Sequence, residues 1–301
     1  MLETQIGSLK LSSPLLTGSG TFGHDPAALS FLNEGDLGAL VLKTVTPEPW
    51  AGNPTPRMAE FHGGVLNAIG LENKGLEYWK SEVGSQLDNA GIPVVANAGG
   101  HSVKDYVSVV EAFHAMDAVV AIELNLSCPN VTGGIQFSTC TDSLSEVVKA
   151  CRHVTDKSLW VKLSPNVTDI RPLAIAAEES GVDAITVCNT VIGMLVDWRS
   201  ARPKLANRTG GMSGPAVKPI AMRLVDQCSQ VVSIPIVASG GVMNAEDVLE
   251  FVVAGATAVQ VGTASFANPL AISEIAGELR TLLASNSLSL SSLRGTLQKN
   301  G

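Results

Sequence analysis

The sequence has little charge and few aromatic residues. Of its 301 residues, 16% are Asp, Glu, Lys or Arg and 4% are Phe, Trp or Tyr, whereas 45% are hydrophobic and the mean hydropathy is +0.25. No apolar run approaches the roughly 18 residues that a membrane-spanning helix needs. The hydrophobic residues are instead spread over the whole chain, which is typical of an α/β protein whose parallel strands are buried on both faces.

Cysteines and basic residues are also scarce. The cysteines number five, and none lies in a Cys-x-x-Cys pair: Cys128, Cys140, Cys151, Cys188 and Cys228. Their odd number and spacing argue against a disulfide framework and against a zinc or iron–sulfur site held by this chain alone. The formal net charge of −8 argues against a nucleic-acid partner. Residues 1–14 lack a charged segment followed by an apolar one, so we expect a cytoplasmic protein without a secretion signal or N-terminal membrane anchor.

Short β-branched runs alternate with segments of helical periodicity along the chain. The predicted strands are 15–17, 39–42, 93–96, 121–124, 159–161, 184–187, 235–238 and 258–261. The predicted helices include 74–90, 102–116, 142–154, 168–180, 215–231 and 244–254, and four of them have a predicted N-cap at Ser102, Thr141, Thr168 or Asn244. This alternation predicts an α/β fold, one (β/α)8 TIM barrel, as a single domain over residues 1–301.

Three loops are longer than a simple strand-to-helix connection: 47–70, 129–140 and 191–214. Each follows the carboxyl end of a predicted strand, on the face where barrel enzymes build their active sites. Because 47–70 is rich in Pro and Gly, we expect it to form an inserted hairpin that lays residues 67–71 over the barrel mouth. The other two loops are predicted to be lids.

The residues that end the predicted strands are mostly amides and glycines, with two lysines and one cysteine. They are GSGTFG (18–23), KT (43–44), NAGG (97–100), NLSCPN (125–130), KLSPN (162–166), CNT (188–190), SGG (239–241) and GTA (262–264). In a barrel these ends are neighbours around one ring, so they can surround one ligand. The glycines after the last two strands favour a phosphate site, because barrels commonly bind phosphate there through backbone N–H groups.

Side chains at these strand ends suggest how a ligand is held. Lys43 and Lys162 directly follow apolar residues, where an ammonium is costly to bury unless an anion or an electron-rich ring compensates it. Lys162 could otherwise form a Schiff base with a carbonyl substrate. Asparagines suit a planar heterocycle with imide groups, although asparagine is also an ordinary turn residue. The candidates are Asn67, Asn97, Asn125, Asn130 and Asn189.

Cys128 stands out among the cysteines because it ends a strand just before Pro129. At a strand end lined by ligand-binding groups, a thiol can serve as a base or a nucleophile, since nearby dipoles and lysines tune its pKa. The thiols of Cys151, Cys188 and Cys228 are predicted to be buried and inert.

Together the strand ends resemble the dihydroorotate dehydrogenase family over essentially the whole chain. The most specific pieces are NLSCPN (125–130) and LNAIGLEN (66–73). The resemblance implies oxidation of dihydroorotate to orotate in pyrimidine biosynthesis on one non-covalent FMN. It implies FMN contacts from Ser19, Gly20, Lys43, Thr44, Asn97, Asn125, Lys162, the backbone of Cys188, Gly214, Gly240, Gly241, Gly262 and Thr263. It implies substrate contacts from Lys43, Asn67, Ala68, Ile69, Gly70, Leu71, Asn125, Asn130, Asn189 and Thr190.

The same resemblance implies a mechanism. Cys128 takes the C5 proton on the face opposite the flavin while C6 gives a hydride to flavin N5, and Lys162 stabilises the negative charge of the reduced flavin. The loop 129–140 closes over the substrate. The segment 18–23 matches the GxGxxG fingerprint of dinucleotide-binding folds, but such folds need a carboxylate after the second strand, where this chain has Lys43. We therefore interpret 18–23 as flavin-contacting backbone.

Within the family, a cysteine base and the lack of a membrane-binding N-terminal extension resemble class 1, and NAIGLEN (67–73) resembles type 1B, which passes electrons to NAD⁺. This chain alone has no iron–sulfur spacing. The resemblance therefore implies a partner subunit with FAD and a [2Fe-2S] cluster, bound to a homodimer of this chain in a heterotetramer. Three alternatives remain open: a fumarate-using type 1A enzyme, a flavin-free lyase or aldolase that uses Lys162, and a non-catalytic barrel.

Overall fold

The computed structural model describes residues 2–23, 26–87, 90–127, 137 and 139–298. In chain order its strands are β1 (Thr4–Ile6), β2 (Leu9–Leu11), β3 (Leu15–Thr17), β4 (Leu40–Val41), β5 (Met58–Phe61), β6 (Gly64–Asn67), β7 (Val94–Ala98), β8 (Val119–Asn125), β9 (Ser158–Leu163), β10 (Ala184–Val187), β11 (Val191–Gly193), β12 (Val196–Asp197), β13 (Arg202–Pro203), β14 (Gly210–Ser213), β15 (Ile236–Ser239) and β16 (Ala258–Val261).

The α-helices are α1 (Gly75–Tyr78), α2 (Gly84–Leu87), α3 (Val103–His114), α4 (Thr141–Arg152), α5 (Arg171–Glu179), α6 (Lys218–Ser229), α7 (Ala245–Val253), α8 (Thr263–Ala267), α9 (Ala271–Ser285) and α10 (Leu290–Leu293). A π-helical turn, Trp79–Val83, joins α1 to α2, and 3₁₀ turns span Pro26–Phe31 and Pro215–Val217. In the described part of the chain, no helix has both the length and the apolar character needed to cross a membrane.

Eight parallel strands form the barrel, in the order β3-β4-β7-β8-β9-β10-β15-β16, and β16 pairs with β3. Between β3 and β4 the ring closes through a bridge from Leu16 to Ala39. The hydroxyl of Thr17 strengthens this seam, because it donates to the carbonyl of Val41 (3.0 Å) and accepts from the N–H of Val41 (2.7 Å). Each predicted strand overlaps one barrel strand, so the predicted (β/α)8 fold is confirmed.

The barrel interior changes from apolar to polar along the strands. Side chains of a strand alternate between its two faces, so every second residue points inward. One interior layer is apolar and contains Leu16, Ala39, Val41, Val95, Ala121, Trp160, Ala184, Val237 and Ala258. Ile6 and Leu11, from the β1–β2 hairpin, pack into this layer. Two residues further along five of these strands, the inward positions carry buried polar side chains: Asn97, Glu123, Lys162, Thr186 and Gln260.

The predicted helix starts are partly confirmed. Ser102 and Asn244 are N-caps, each in a reciprocal capping box with the aspartate three residues later. The predictions for Thr141 and Thr168 were wrong. Thr141 is itself the first residue of α4, and α5 begins only after Ile170, with the backbone N–H of Arg171 bonded to the carboxylate of Asp169.

Two of the long loops build one sheet on top of the barrel. The predicted hairpin within 47–70 is confirmed as β5 and β6. The loop 191–214, predicted as a separate lid, instead forms β11 and β14, and β14 pairs with β6 in a four-stranded antiparallel sheet ordered β11-β14-β6-β5. Its middle forms the small β12–β13 hairpin. Most of the remaining loop, 129–140, lies outside the described residues, namely residues 129–136 and 138.

Candidate active site

A cavity of about 430 Å³ opens at the carboxyl ends of the barrel strands, beneath the four-stranded sheet. Its volume lies in the range of small-molecule and cofactor sites, which is ~300–1,000 Å³. Most of the residues predicted from the sequence to hold a ligand line it: Ser19, Gly20, Lys43, Thr44, Asn67, Ile69, Gly70, Leu71, Asn125, Lys162, Cys188, Asn189, Thr190, Gly214, Gly240, Gly241, Gly262 and Thr263.

Four predicted residues are not among those that line the cavity. Asn97 and Ala68 are fully buried, Asn97 in the polar layer beneath the cavity and Ala68 against the four-stranded sheet. Cys128 and Asn130 lie outside the described residues. The predicted roles of Cys128 and Asn130 stay predictions.

Lys162 sits at the floor of the cavity. It lies in β9, two residues after the interior Trp160, so its side chain points into the barrel. The side chain is buried, and its ammonium donates a 2.9 Å hydrogen bond to Oε1 of Gln260. A buried ammonium held by a neutral amide can interact strongly with an electron-rich ligand in the cavity.

A buried carboxyl group lies beneath Lys162. Glu123 accepts hydrogen bonds from Nε2 of Gln260 (2.9 Å), from Nδ2 of Asn97 (2.7 Å) and from the hydroxyl of Thr186 (2.5 Å). These four side chains and Lys162 thus form one hydrogen-bonded layer. Such a layer satisfies polar groups that would otherwise be costly to bury.

The amides at the rim belong to the same network. Asn125 donates to the hydroxyl of Thr44 (3.0 Å), and that hydroxyl donates to Oδ1 of Asn97 (2.5 Å). Oδ1 of Asn125 accepts from Ser127 (2.9 Å), whose oxygen accepts from Nδ2 of Asn189 (2.8 Å). The amides of Asn125 and Asn189 are therefore held in fixed orientations at the cavity wall.

Lys43 lines the opposite wall. Burial lowers the pKa of Lys43 from the usual lysine value, the carboxylate of Glu72 opposes this effect, and the guanidinium of Arg57 adds to it. Glu72 is itself paired with Arg57. The lysine is thus poorly compensated by the protein and is well placed to attract an anionic ligand.

Glycines line the end of the cavity near β15 and β16. Gly214, Gly240 and Gly241 have φ of 98°, 133° and 80°, a backbone region that favours glycine. A Cβ on Gly241 would lie 2.7 Å from the backbone nitrogen of Lys218, and one on Gly214 would lie 2.7 Å from Cα of Gly64. The chain therefore needs glycine here for its own packing, and the result is a stretch of exposed backbone in the cavity wall.

The β6 strand and its extension form the roof. The amide of Asn67 donates to the carbonyl of Gly211 (3.3 Å), which joins the two inserted loops. Gly70 has φ of 76°, and a Cβ there would lie 2.8 Å from the backbone nitrogen of Asn53. The segment 67–71 thus lies over the mouth, as the sequence predicted.

The described cysteines differ in burial and in the pKa of their thiols. Burial raises the pKa of Cys188 to about 12, and Lys162 opposes the effect only in part. Burial likewise raises the pKa of Cys151 and of Cys228 to about 12. The predicted burial of these three thiols is confirmed, and their raised pKa values keep the thiolate form rare near neutral pH. Cys140 is exposed, and hydrogen bonds from Ser143 lower its pKa.

Sequence reasoning missed several cavity residues. Glu123 and Gln260, in the polar layer, were not singled out, and neither were the cavity-lining Met58, Val65, Glu72, Met212, Ser213, Val217, Val242 and Phe266. The period-two pattern of the strands could have found the first two. Glu123 follows Ala121 and Gln260 follows Ala258 by two residues, so each shares the inward face of its strand.

The closed ring of strands and the polar cavity at their carboxyl ends define a (β/α)8 barrel with its ligand site on the face that barrel enzymes use. The chain belongs to the dihydroorotate dehydrogenase family, whose sequence profile matches residues 1–283.

Individual relatives agree with this assignment. The chain is 47% identical over 299 residues, 99% of this chain and 98% of the relative, to "Dihydroorotate dehydrogenase B (NAD(+)), catalytic subunit" of Trichlorobacter lovleyi. It is 48% identical over 283 residues, 94% of this chain and 90% of the relative, to the protein of the same name from Geobacillus kaustophilus. The crystal structure of DHODH in complex with ferulenol from Eimeria tenella shares the fold, with a TM-score of 0.82 at 23% identity over 98% of this chain and 88% of that chain.

Proposed function

We propose that this chain oxidises (S)-dihydroorotate to orotate in pyrimidine biosynthesis, as an FMN-binding catalytic subunit that forms one domain over residues 1–301. The observation that carries the proposal is the convergence of Lys162, the rim amides of Asn125 and Asn189, and a glycine-rich wall in one cavity of about 430 Å³. The names of the relatives, each a dihydroorotate dehydrogenase B catalytic subunit, support the same reaction.

The cavity fits FMN in its donor set. The glycine-rich wall at Gly240 and Gly241 lies next to Gly262 and Thr263, which begin α8, and exposed backbone of this kind suits a phosphate. Lys162, whose buried ammonium lines the same cavity, would hold the electron-rich ring system of the flavin. FMN, when bound, supplies the acceptor for a hydride.

The substrate would lie between this floor and the 67–71 roof. Its carboxylate would be attracted to Lys43, and its imide groups would pair with the amides of Asn67, Asn125 and Asn189. The proposal also assigns substrate contacts to Ala68, Ile69, Gly70, Leu71, Asn130 and Thr190. With the substrate bound, the roof would exclude water, which would strengthen these polar contacts.

Two residues would carry the chemistry. Cys128, as a thiolate, would remove the C5 proton of dihydroorotate, and base catalysis of this kind is typically worth ~10²–10⁴ in rate. Lys162 would supply a fixed positive charge at the flavin, where negative charge develops when the cofactor is reduced. The other FMN contacts would come from Ser19, Gly20, Thr44, the backbone of Cys188, and Gly214, whereas Asn97, which is fully buried outside the cavity lining, would act through Thr44.

Electrons would leave through a second protein. The relatives are named as NAD(+)-linked catalytic subunits, and that wording supports a partner subunit. We propose that the partner carries FAD and a [2Fe-2S] cluster, and that it binds a homodimer of this chain in a cytoplasmic heterotetramer. In the described residues no group of three His, Cys, Asp or Glu side chains could hold a metal ion.

Co-purification from the native host tests the proposal. The isolated complex should be yellow, should contain one FMN per chain and should reduce NAD⁺ with dihydroorotate, whereas this chain alone should not reduce NAD⁺. Use of fumarate by the single chain would instead indicate type 1A. A colourless protein that borohydride traps on a carbonyl substrate would contradict the proposal in favour of a Schiff-base enzyme.

A further inference from the structure

Glu123 is fully buried beneath the cavity and accepts hydrogen bonds on both carboxyl oxygens. Nδ2 of Asn97 donates to Oε1 (2.7 Å), and Nε2 of Gln260 donates to Oε2 (2.9 Å). An amide NH₂ group only donates, so both oxygens of Glu123 act as acceptors toward the two amides. Two hydrogen-bond chains that reach the cavity thus end on this one side chain.

The first chain leads to Lys162. An ammonium group only donates, so it requires the oxygen of the Gln260 amide, and the structure has that oxygen 2.9 Å away. The nitrogen of the same amide must then face Glu123. The orientation of Gln260 is therefore fixed at both of its ends.

The second chain leads to the rim amides. Oδ1 of Asn97 accepts from the hydroxyl of Thr44 (2.5 Å), and the Thr44 oxygen accepts from Nδ2 of Asn125 (3.0 Å). Beyond Asn125 the same direction continues through Ser127 to Asn189. The side chains between the two ends each have both a donor and an acceptor and can be turned over, so the direction of this hydrogen-bond chain is set at its ends. One end is Glu123. At the other end the backbone N–H of Thr190 donates to Oδ1 of Asn189 (2.8 Å), which holds Nδ2 of Asn189 toward Ser127.

We propose that Glu123 is a positioning residue, which accepts at the buried end of both hydrogen-bond chains. It thereby orients Gln260 toward Lys162 and, together with the N–H of Thr190 at the other end of the second chain, holds the amide of Asn125 in one orientation toward the ligand. The inference rests on the proposed function only for the identity of that ligand. It predicts that orotate affinity depends on a hydrogen-bond acceptor toward each of the two amides at position 123, and not on the volume of that side chain.

The variant Glu123→Gln tests this requirement at nearly constant size. A glutamine presents one oxygen and one nitrogen, so it can accept from only one of the two amides. The hydrogen-bond chain from Lys162 through Gln260 cannot change direction, because an ammonium cannot accept a hydrogen bond. The new nitrogen should therefore face Asn97. The hydrogen-bond chain through Thr44 and Asn125 must then either reverse against the N–H of Thr190 or lose one of its hydrogen bonds. Orotate affinity should fall roughly tenfold or more, because the amide of Asn125 would be turned over or no longer held at the cavity wall.

A compensating change should restore the direction. In Glu123→Gln combined with Asn97→Asp, the nitrogen of residue 123 can donate to the new carboxylate, whose second oxygen accepts from Thr44 as before. Gln260 and Lys162 keep their wild-type arrangement. We expect the double variant to recover orotate affinity to within about threefold of wild type, a coupling of the kind that contacting residues show. Asn97→Asp alone should bind weakly, because two carboxyl groups would then face each other.

Thr186→Val is the matched control. Thr186 donates to the same carboxyl group (2.5 Å) but belongs to neither chain. Its replacement disturbs the burial of Glu123 and leaves both directions intact, so orotate affinity should stay within about twofold of wild type, whereas non-specific damage to the buried layer would weaken both variants alike.

Equilibrium titration of the flavin-containing protein with orotate, followed by flavin absorbance, provides the measurement, together with thermal unfolding of all five proteins. The inference is overturned by unchanged affinity in Glu123→Gln, by equal losses in Glu123→Gln and Thr186→Val, or by additive losses in the double variant. If Glu123→Gln does not fold, recovery of a folded double variant supports the inference, and failure of both contradicts it. If the wild-type protein does not bind orotate, the proposed function is contradicted. The unfolding midpoints of the variants would still test the coupling between positions 123 and 97.

Discussion

The ammonium of Lys162 is anchored to the carboxamide oxygen of Gln260, 2.9 Å away, although the two residues are 98 positions apart in the chain. They come from β9 and β16, which are not adjacent in the barrel, and they meet because both point into its interior. An interior contact of this kind holds a charged group still in a region that water reaches poorly. That is the arrangement needed to stabilise charge that appears during a reaction.

Replacing this ammonium should slow the chemical step. We expect Lys162→Met to reduce the rate of flavin reduction by dihydroorotate ~10²–10³-fold, the range found when one preorganised donor to a developing charge is removed. Single-turnover stopped-flow kinetics would measure it. Lys162→Arg, which keeps the charge but changes its geometry, should lose less. Equal reduction rates in Lys162→Met and wild type would remove the proposed role.

The proposed base is tested by Cys128→Ser. A serine hydroxyl is a far weaker acid than a thiol, so the variant should keep FMN but lose ~10²–10⁴ of its turnover near neutral pH. The loss should shrink as the pH rises. Cys228→Ala, which removes a buried thiol outside the cavity, is the control and should turn over at the wild-type rate. Wild-type turnover of Cys128→Ser would contradict the assignment.

The glycine wall gives a prediction about the cofactor. Gly241→Ala puts a Cβ 2.7 Å from a backbone nitrogen, at a φ of 80° that costs a non-glycine residue ~1–3 kcal/mol. We expect the purified variant to retain less flavin per chain, as measured by the ratio of flavin absorbance to protein absorbance. Gly277→Ala, in α9 with no heavy atom within 4 Å of its Cβ, is the control. Full flavin content in Gly241→Ala would count against a tight phosphate contact there.

Most of the barrel could be predicted from the sequence because its buried strands are continuous β-branched runs, and such runs stand out between amphipathic helices. The β1–β2 hairpin was missed, although Ile6, Leu9 and Leu11 flank a Gly7-Ser8 turn, because its strands have only three residues each. The pairing of β6 with β14 joins residues about 145 positions apart, and no local pattern encodes such a contact.

The site was predicted unevenly for a related reason. Residues at strand ends, such as Lys43 and Asn189, were found because polar residues interrupt an apolar run there. Glu123 and Gln260 lie inside strands, where a single polar residue is easily taken for an irregularity. Their role depends on contacts across the barrel, which become visible only when the ring has closed.

The lowered pKa of Lys43 predicts a pH dependence of orotate binding. Because burial is the main cause, the ammonium loses its proton at a pH below the ordinary lysine value of 10.5. Orotate affinity should fall as the pH rises through this lowered pKa, since the neutral amine no longer attracts the carboxylate. Lys43→Arg should not show the decline, because a guanidinium stays charged. A decline that persists in Lys43→Arg would assign it to another group.

The helix starts give a prediction about stability that does not depend on the function. The side chain of Asn244 accepts from the backbone N–H of Asp247 (2.9 Å) at the start of α7, so Asn244→Ala should lower the free energy of unfolding by about 1 kcal/mol. Thr141→Ala changes a residue that the sequence predicted to be a cap but that lies within α4, so it should cost less than about 0.5 kcal/mol. Chemical denaturation of both variants measures the difference. Equal losses would mean that the capping bond of Asn244 contributes nothing of its own, and that its effect is only that of removing a polar side chain near a helix end.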